Sequence, residues 1–333
     1  MRAPMFWHAP PGLWARLLSP LGAVYAGATR RRLARGPRAR LDVPVICIGN
    51  LNAGGTGKTP TVIALATRLA ARGIAVHAVT RGHGGTLQGP VRVVERQHTA
   101  AQTGDEALLL AAFLPTWVAK DRAAGARAAI DAGARAILLD DGFQNPSLAH
   151  DLAVIVVDAH IGFGNGLVIP AGPLREPIAT GLARADLILS IGDAQAQARF
   201  VQTWGAKVTL PHVTGTLAAL QTGLPLAGMP VLAFAGIGHP EKFFRTLSAM
   251  GADLRATHAL RDHQPLSDTL MQRMLREAKT LGAQVVTTEK DAVRLAPALR
   301  AQVMTLPVRL EIADWTALDN AIARIMAERP AQP

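Results

Sequence analysis

The chain has 333 residues, of which 49% are hydrophobic and only 4% aromatic, with one cysteine and a net charge of +11. That length and apolar content exclude a disordered chain and suffice for one large or two modest cores, and the lone Cys47 excludes an intrachain disulfide framework. The charge is concentrated: residues 1–40 hold eight arginines and no Asp or Glu, which argues for an anionic membrane surface rather than the extended basic groove of a nucleic-acid enzyme.

The first predicted element is a helix. Trp14, Leu17, Leu18, Leu21, Val24 and Tyr25 recur at helical spacing, with Phe6 and Trp7 upstream and the arginine cluster downstream. Ser19-Pro20 reads as an N-cap and first-turn proline, which predicts two short helices rather than one. The apolar run 17–28 is shorter than the about 20 residues a bilayer span needs, so the segment is expected to lie on a membrane and not cross it. The alternatives are a helix that packs on the body with its arginines solvated, and a signal peptide ending at Ala26-Gly27-Ala28.

Next comes the apolar, β-branched run 43–49, followed by Asn50-Leu51-Asn52-Ala53-Gly54-Gly55-Thr56-Gly57-Lys58-Thr59 and a helical pattern in Val62, Leu65, Ala66 and Leu69. Strand, glycine loop, then Gly-Lys-Thr opening a helix is the order of a phosphate-binding loop. Backbone N–H groups of Asn52, Ala53, Gly54, Gly55, Thr56 and Gly57 turn inward around phosphate oxygens, Lys58 reaches the β/γ-phosphates, and the Thr59 hydroxyl ligates Mg²⁺. Asn52 stands where glycine usually opens this pattern, and asparagine tolerates left-handed backbone angles. The segment predicts binding of a nucleoside triphosphate.

Strand-like runs follow at 74–80, 91–94, 117–119, 136–140, 152–158 and 187–191, with helical patterns around 106–113 and 122–132. This alternation predicts an α/β fold of the P-loop NTPase type, a mostly parallel sheet with helices on both faces and ligands at the carboxyl ends of its strands. Residues 206–226 read as β-like stretches broken by Gly215, Gly223 and Pro225, a hinge or linker. The stretch 231–240 then restarts the strand, glycine loop, helix theme. Helical spacing in Phe243, Phe244, Leu247 and Met250, strands at 284–288 and 303–310, and a last helix with Trp315, Leu318, Ile322 and Ile325 complete the chain. The expected division is an N-terminal basic amphipathic membrane-associating segment (1–40), a P-loop core (41–205) and a smaller C-terminal α/β domain (206–333).

Asp140 ends the strand 136–140, and Asp140-Asp141-Gly142 follows as a turn. A carboxylate there faces the phosphate loop and is a candidate Mg²⁺ ligand. Thr103 and Glu106 are spaced as a capping box, which gives Asp105 a structural reading, and His263 is a lone loop histidine.

Taken together these residues resemble the tetraacyldisaccharide 4′-kinase family, the lipid A biosynthetic kinases of Gram-negative bacteria. The resemblance rests on the apolar-aromatic N-terminus ending in arginines, the loop 49–60, Thr-Arg-Gly at 80–82, Gly-Asp-Glu at 104–106, Asp-Asp-Gly-Phe-Gln at 140–144, Pro-Ala-Gly-Pro-Leu-Arg-Glu-Pro at 170–177, Asp262-His263 and Thr-Thr-Glu-Lys-Asp at 287–291. It implies ATP- and Mg²⁺-dependent phosphorylation of the 4′-hydroxyl of a tetraacylated glucosamine disaccharide 1-phosphate, at the cytoplasmic face of the inner membrane, by a peripheral or monotopic protein. It also implies that Asp105 is the general base paired with His263, that Lys58 and Thr59 serve phosphate and metal, and that Asp140, Asp141 and Glu176 are acidic metal-site candidates, with Asp141 the next candidate base. Arg81, His83 and Arg175 become substrate or phosphate contacts. The chain departs from the family pattern at His83 and Leu266, where aromatics are common, and at Asn145-Pro146-Ser147, which replaces a more basic continuation.

Two other classes compete with this reading. A P-loop GTPase or ATPase switch usually carries lysine at the position of Ala53 or an Asn-Lys-x-Asp guanine reader, and Thr288-Glu289-Lys290-Asp291 places its lysine one residue too late. A nucleic-acid ATPase is disfavoured by the few aromatics and by the terminal placement of charge.

Overall fold

The run Val45–Gly49 is buried along its whole length, and a strand buried on both faces belongs in the interior of a sheet covered by helices on each side. A computed structural model describes residues 4–35, 39–220, 223, 226–262 and 264–329. The chain runs through α1 (Leu13–Ala34), β1 (Val45–Gly49), α2 (Lys58–Ala70), β2 (Val76–Thr80), β3 (Val91–Arg92), α3 (Ala100–Thr103), α4 (Asp105–Ala111), β4 (Thr116–Val118), α5 (Arg122–Asp131), β5 (Ala136–Asp140) and β6 (Leu152–Asp158). It continues through α6 (Ile178–Leu182), β7 (Leu187–Ile191), α7 (Ala194–Trp204), β8 (His212–Ala219), β9 (Pro230–Ala235), α8 (Pro240–Ala249), β10 (Asp253–Ala259) and α9 (Asp268–Thr280). It ends with β11 (Gln284–Thr288), α10 (Glu289–Ala292), α11 (Pro297–Arg300), β12 (Met304–Leu306), β13 (Val308–Glu311) and α12 (Thr316–Glu328).

A nine-stranded sheet in the order β13-β8-β7-β6-β1-β5-β2-β4-β3 is parallel except at its two antiparallel edge pairs, and a four-stranded parallel sheet has the order β10-β9-β11-β12. Alternation along β1 sends Val45 and Cys47 into one core with Phe143, Phe163 and Phe200, and Ile46 and Ile48 into the other with α2 and α12. The large sheet is therefore a mostly parallel α/β layer with helices on both faces. Burial raises the pKa of Cys47, a free thiol within this core.

Residues 206–333 do not form one unit. β8, expected as a linker, pairs in parallel with β7, and the run 303–310 is split at Pro307, so that β12 joins the small sheet while β13 returns to pair with β8. The reason is local: Pro307 cannot donate to a continuous ladder, and Gly215, taken for a breaker, is where Leu310 packs against the strand. The small sheet thus lies between two crossings of the chain, one after β8 and one at Pro307, and α12 packs back on the large sheet.

α1 is one helix, not two. Pro20 lies inside it and Ser19 Oγ donates to Ala15 O at 2.8 Å, so the expected cap is a bond back into the helix. An interior proline costs about 3 kcal/mol, and packing of Ala15, Gly22, Thr29 and Leu33 on the body offsets it. Upstream, Trp7 Nε1 donates to Pro170 O at 3.0 Å. The outer face leaves Leu13, Trp14, Leu17, Leu21 and Val24 from 57% to 79% exposed, with Arg30, Arg31 and Arg32 beyond them. No helix among the described residues is long and apolar enough to cross a membrane.

A Cβ on Gly22 would stand 2.9 Å from Val168 O, so this glycine sets the approach of α1 to the body. Gly22→Leu is expected to increase proteolytic cleavage within residues 13–34 at least several-fold while lowering the melting temperature of the body only slightly. Equal cleavage of variant and parent would show that the contact does not hold the helix.

Candidate active site

The phosphate loop is built as a turn that only its own residues permit. Gly57, with φ at 96°, precedes α2, and a Cβ there would lie 2.6 Å from Ile191 Cδ1. Asn50 Nδ2 donates to Gly54 O at 3.1 Å and Asn52 Nδ2 to Gly162 O at 3.0 Å, while Ala53 N donates to Pro173 O and Arg175 N to Leu51 O, both at 2.7 Å. The segment 170–177 therefore runs alongside the loop and delivers Arg175 to it. Thr56 Oγ1 and the side-chain oxygens of Asn50 and Asn52 are buried without a hydrogen-bond partner among the described residues. Lys58 and Thr59 form the first turn of α2, whose N-terminus opens on the loop.

Asp140 and Asp141 arrive at the carboxyl end of β5, where Asp140 is in register with Ile48 of β1. Asp141 is the one non-glycine described residue with positive φ, at 55°, and this turns its carboxylate towards Lys58 Nζ at 3.6 Å and Arg175 Nη1 at 3.1 Å. Burial alone would raise its pKa, but the Lys58 and Arg175 charges outweigh it and hold the group below the usual carboxylate range. As a low-pKa counter-ion it is poorly suited to be a base, contrary to its standing as the next candidate for that role.

Asp140 is 1% exposed, and neither of its oxygens has a hydrogen-bond partner among the described residues. Burial, reinforced by the nearby Glu106 charge and opposed by Lys58, pushes its pKa up to about 7. A buried carboxyl with both oxygens unsatisfied among the described residues, at the strand end near Lys58, is the donor chemistry that a hard divalent cation requires, so the residues present fit Mg²⁺. Glu176 does not offer the same chemistry. Both its oxygens accept from Arg184 Nη2 at 2.7 Å, and Gln144 Nε2 donates to one of them at 3.1 Å. The expected metal ligand is here the anchor of a buried ion pair that fixes Arg184 over the Phe143 ring, 4.2 Å from its centroid.

Asp105 is buried at the first position of α4, and its Oδ1 accepts from Glu106 N at 3.0 Å. The expected capping box lies one turn earlier, in Thr99 and Gln102 of α3; Thr103 instead ends α3, and Gly104 makes the sharp turn between the two helices with φ at 85°. A Cβ on Gly104 would approach His83 O to 2.5 Å, so Thr-Arg-Gly and Gly-Asp-Glu interlock. Arg81 and His83 stand exposed in that segment. His263 lies outside the described residues. Sequence reasoning missed Arg122, buried near Asp140 and Asp141 with its pKa lowered chiefly by burial, and also Glu106, Arg184 and Lys290 as members of this cluster. Only the quoted motifs around Glu106 and Lys290 carried a signal for them.

A sequence model of the LpxK family, described as tetraacyldisaccharide-1-P 4′-kinase, matches residues 14–327. The chain belongs to this family. Its relatives include the tetraacyldisaccharide 4′-kinase of Jannaschia sp. (strain CCS1), 69% identical over 326 residues and covering 98% of this chain and 99% of that one. The Dinoroseobacter shibae enzyme is 67% identical over 326 residues, with 97% of each chain covered. Among solved structures, LpxK from Aquifex aeolicus in complex with ATP superposes with a TM-score of 0.74 over 94% of this chain and 99% of that chain at 24% identity, a likeness of fold. As a member of the tetraacyldisaccharide 4′-kinase family the protein is a kinase, and the interlocked motifs described above are spread along the family match.

The raised pKa of Asp140 has a sign that can be tested. In metal-free protein the folded state holds this proton when the unfolded chain has released it, so stability falls as pH rises from the ordinary carboxylate pKa of about 4 to about 7. Asp140→Asn is therefore expected to raise the melting temperature without divalent cation by roughly 2 °C or more at pH 8, with the gain shrinking towards pH 4, while abolishing turnover. A pH-independent difference in thermal unfolding would count against the buried, unsatisfied carboxyl.

Proposed function

We propose that the chain transfers the terminal phosphoryl group of ATP to the 4′-hydroxyl of a tetraacylated glucosamine disaccharide 1-phosphate, the lipid A precursor, working from the cytoplasmic leaflet of the inner membrane. The observation that supports it best is the convergence of the phosphate loop, the Asp140–Asp141 strand end and the buried Asp105 carboxylate at one end of the large sheet. Family membership supplies the acceptor. The ATP named for the Aquifex aeolicus structure is the donor that the loop suits.

In this reading the loop N–H groups and the α2 N-terminus hold the phosphates, and Lys58 moves from Asp141 to the developing negative charge on them. Arg175, held by Asp141 and Gln144, orients the transferring group. Asp140 and Thr59 are the residues that would hold Mg²⁺, which when bound neutralises phosphate charge. Asp105 accepts the sugar hydroxyl proton as that oxygen bonds to the γ-phosphorus and the bridging bond to ADP breaks. His263 is the partner that the resemblance implies for it. Arg81 and His83, exposed on the segment packed against Gly104, meet the lipid headgroup in this reading.

Incubation with γ-labelled ATP, with and without the lipid disaccharide, tests this directly. Label is expected on the lipid only, and Lys58→Ala is expected to lower kcat about 100-fold or more with an unchanged melting temperature. Release of inorganic phosphate at equal rates with and without lipid would favour the switch-ATPase reading.

The exposed α1 stripe beside its arginines fits an interfacial helix. Replacing Trp14, Leu17, Leu21 and Val24 together by Gln is expected to leave folding and ATP binding intact while reducing co-sedimentation with anionic vesicles at least tenfold. Undiminished sedimentation would remove the membrane role from this helix.

A further inference from the structure

The segment Thr287-Thr288-Glu289-Lys290-Asp291 ends β11 and opens α10, and the reaction just described assigns it nothing. Its side chains are all engaged. Thr287 Oγ1 donates to Phe234 O at 2.8 Å. Thr288 caps α10, accepting from Asp291 N at 3.2 Å and donating to Asp291 Oδ2 at 2.7 Å. The fully buried Asp291 accepts from Gly236 N at 2.9 Å and from Arg294 Nη1 at 2.8 Å, and Arg294 also donates to Gln264 O. Glu289 accepts from Arg309 Nη1 at 2.6 Å and from Val308 N at 3.3 Å, tying α10 to the point where the chain re-enters the large sheet.

With its neighbours so fixed, Lys290 leaves the small-sheet unit and enters the site. Its Nζ lies 3.5 Å from Glu106 Oε1, 3.5 Å from Asp262 Oδ1 and 3.9 Å from Asp105 Oδ2. Burial opposes its charge, but the Glu106, Asp105 and Asp262 carboxylates outweigh that and hold its pKa above the ordinary lysine value. Asp105 and Glu106 are adjacent acids at the start of one helix, and Glu106 also acts electrostatically on Asp140. Without a cation between them, like charges would disfavour the ionised form of Asp105 and drive the side chains apart.

We infer that Lys290 is a positioning residue for Asp105: it holds the carboxylate aimed into the site, and it does so from the opposite unit, so the base is in place only when the two units are apposed. The inference rests on Asp105 being the base. Lys242, whose Nζ lies 2.6 Å from Asp158 Oδ2 at the end of β6, is a second ion pair across the same junction and keeps the units together without touching Asp105.

The test compares Lys290→Met, Lys290→Arg, Asp105→Asn and the double variant Lys290→Met/Asp105→Asn in the full chain, with steady-state kinetics on both substrates and with ATP affinity as the check on folding. Lys290→Met is expected to lower kcat about 10- to 100-fold with the KM for ATP within about twofold, Lys290→Arg to recover much of the loss, and the double variant to be no slower than Asp105→Asn alone. Multiplicative losses in the double variant, or wild-type kcat in Lys290→Met, would overturn the positioning role. If Lys290→Met lost ATP binding, Lys290→Arg would decide: recovery of ATP binding without recovery of kcat also overturns it. Near-normal turnover by Asp105→Asn is the separate outcome that removes the base assignment, and the inference with it.

Discussion

The site has to keep acidic side chains out of water at the place where a polyanion binds. Asp105, Asp140, Asp158 and Glu176 are all buried around the phosphate loop, and Asp141 is partly so. Each buried carboxylate is costly unless paired, and the pairing is specific: Asp141 with Lys58 and Arg175, Glu176 with Arg184, Asp158 with Lys242, Asp105 with Lys290. Asp140 stands apart, close enough to feel Lys58 and Arg122 but hydrogen-bonded by neither. Among the described residues, the one of these acids left without a direct partner is the one at the strand end facing the loop.

This arrangement explains why the motifs are scattered along the chain yet lock together. The strand end 140–144 supplies Asp141 and Gln144; Gln144 reaches Asn50 O and Glu176, and Glu176 holds Arg184, whose guanidinium covers Phe143. The Asp141 charge serves two cations from different segments, Lys58 and Arg175. In the proposed reaction phosphates would compete with Asp141 for Lys58, and Asp141 would retain Arg175 as its partner.

Much of the large sheet was legible because its central strands are buried on both faces and read as unbroken apolar runs. Residues 136–140, 152–158 and 187–191 begin and end where the runs do. Two strands near sheet edges, β8 and β10, were not. In β8 and in Asp253–Ala259 only one face is covered, the side chains alternate between covered and exposed, and polar residues interrupt the pattern. The break at Pro307 was visible as a residue but not as a change of sheet, because partner choice is a tertiary property. Similarly, the phosphate loop could be read from local chemistry alone. The fate of Glu176 could not, since its Arg184 partner is the outcome of packing around Phe143, and Lys290 meets Asp105 across 185 positions of sequence.

The small sheet's place between two crossings of the chain gives this long-range contact its mechanical meaning. β8 and β13 pair antiparallel, so the two connections leave the large sheet side by side, and rotation about that pair would move the small-sheet unit as a body. Glu289 grips the crossing through Arg309, Lys290 reaches Asp105 and Asp291 ties down the loop after β9, all from successive positions on one short helix. Charge neutralisation and domain apposition meet at Asp105 and Asp158, whose partners Lys290 and Lys242 come from the opposite unit, whereas Asp141 and Glu176 find theirs within the large-sheet unit.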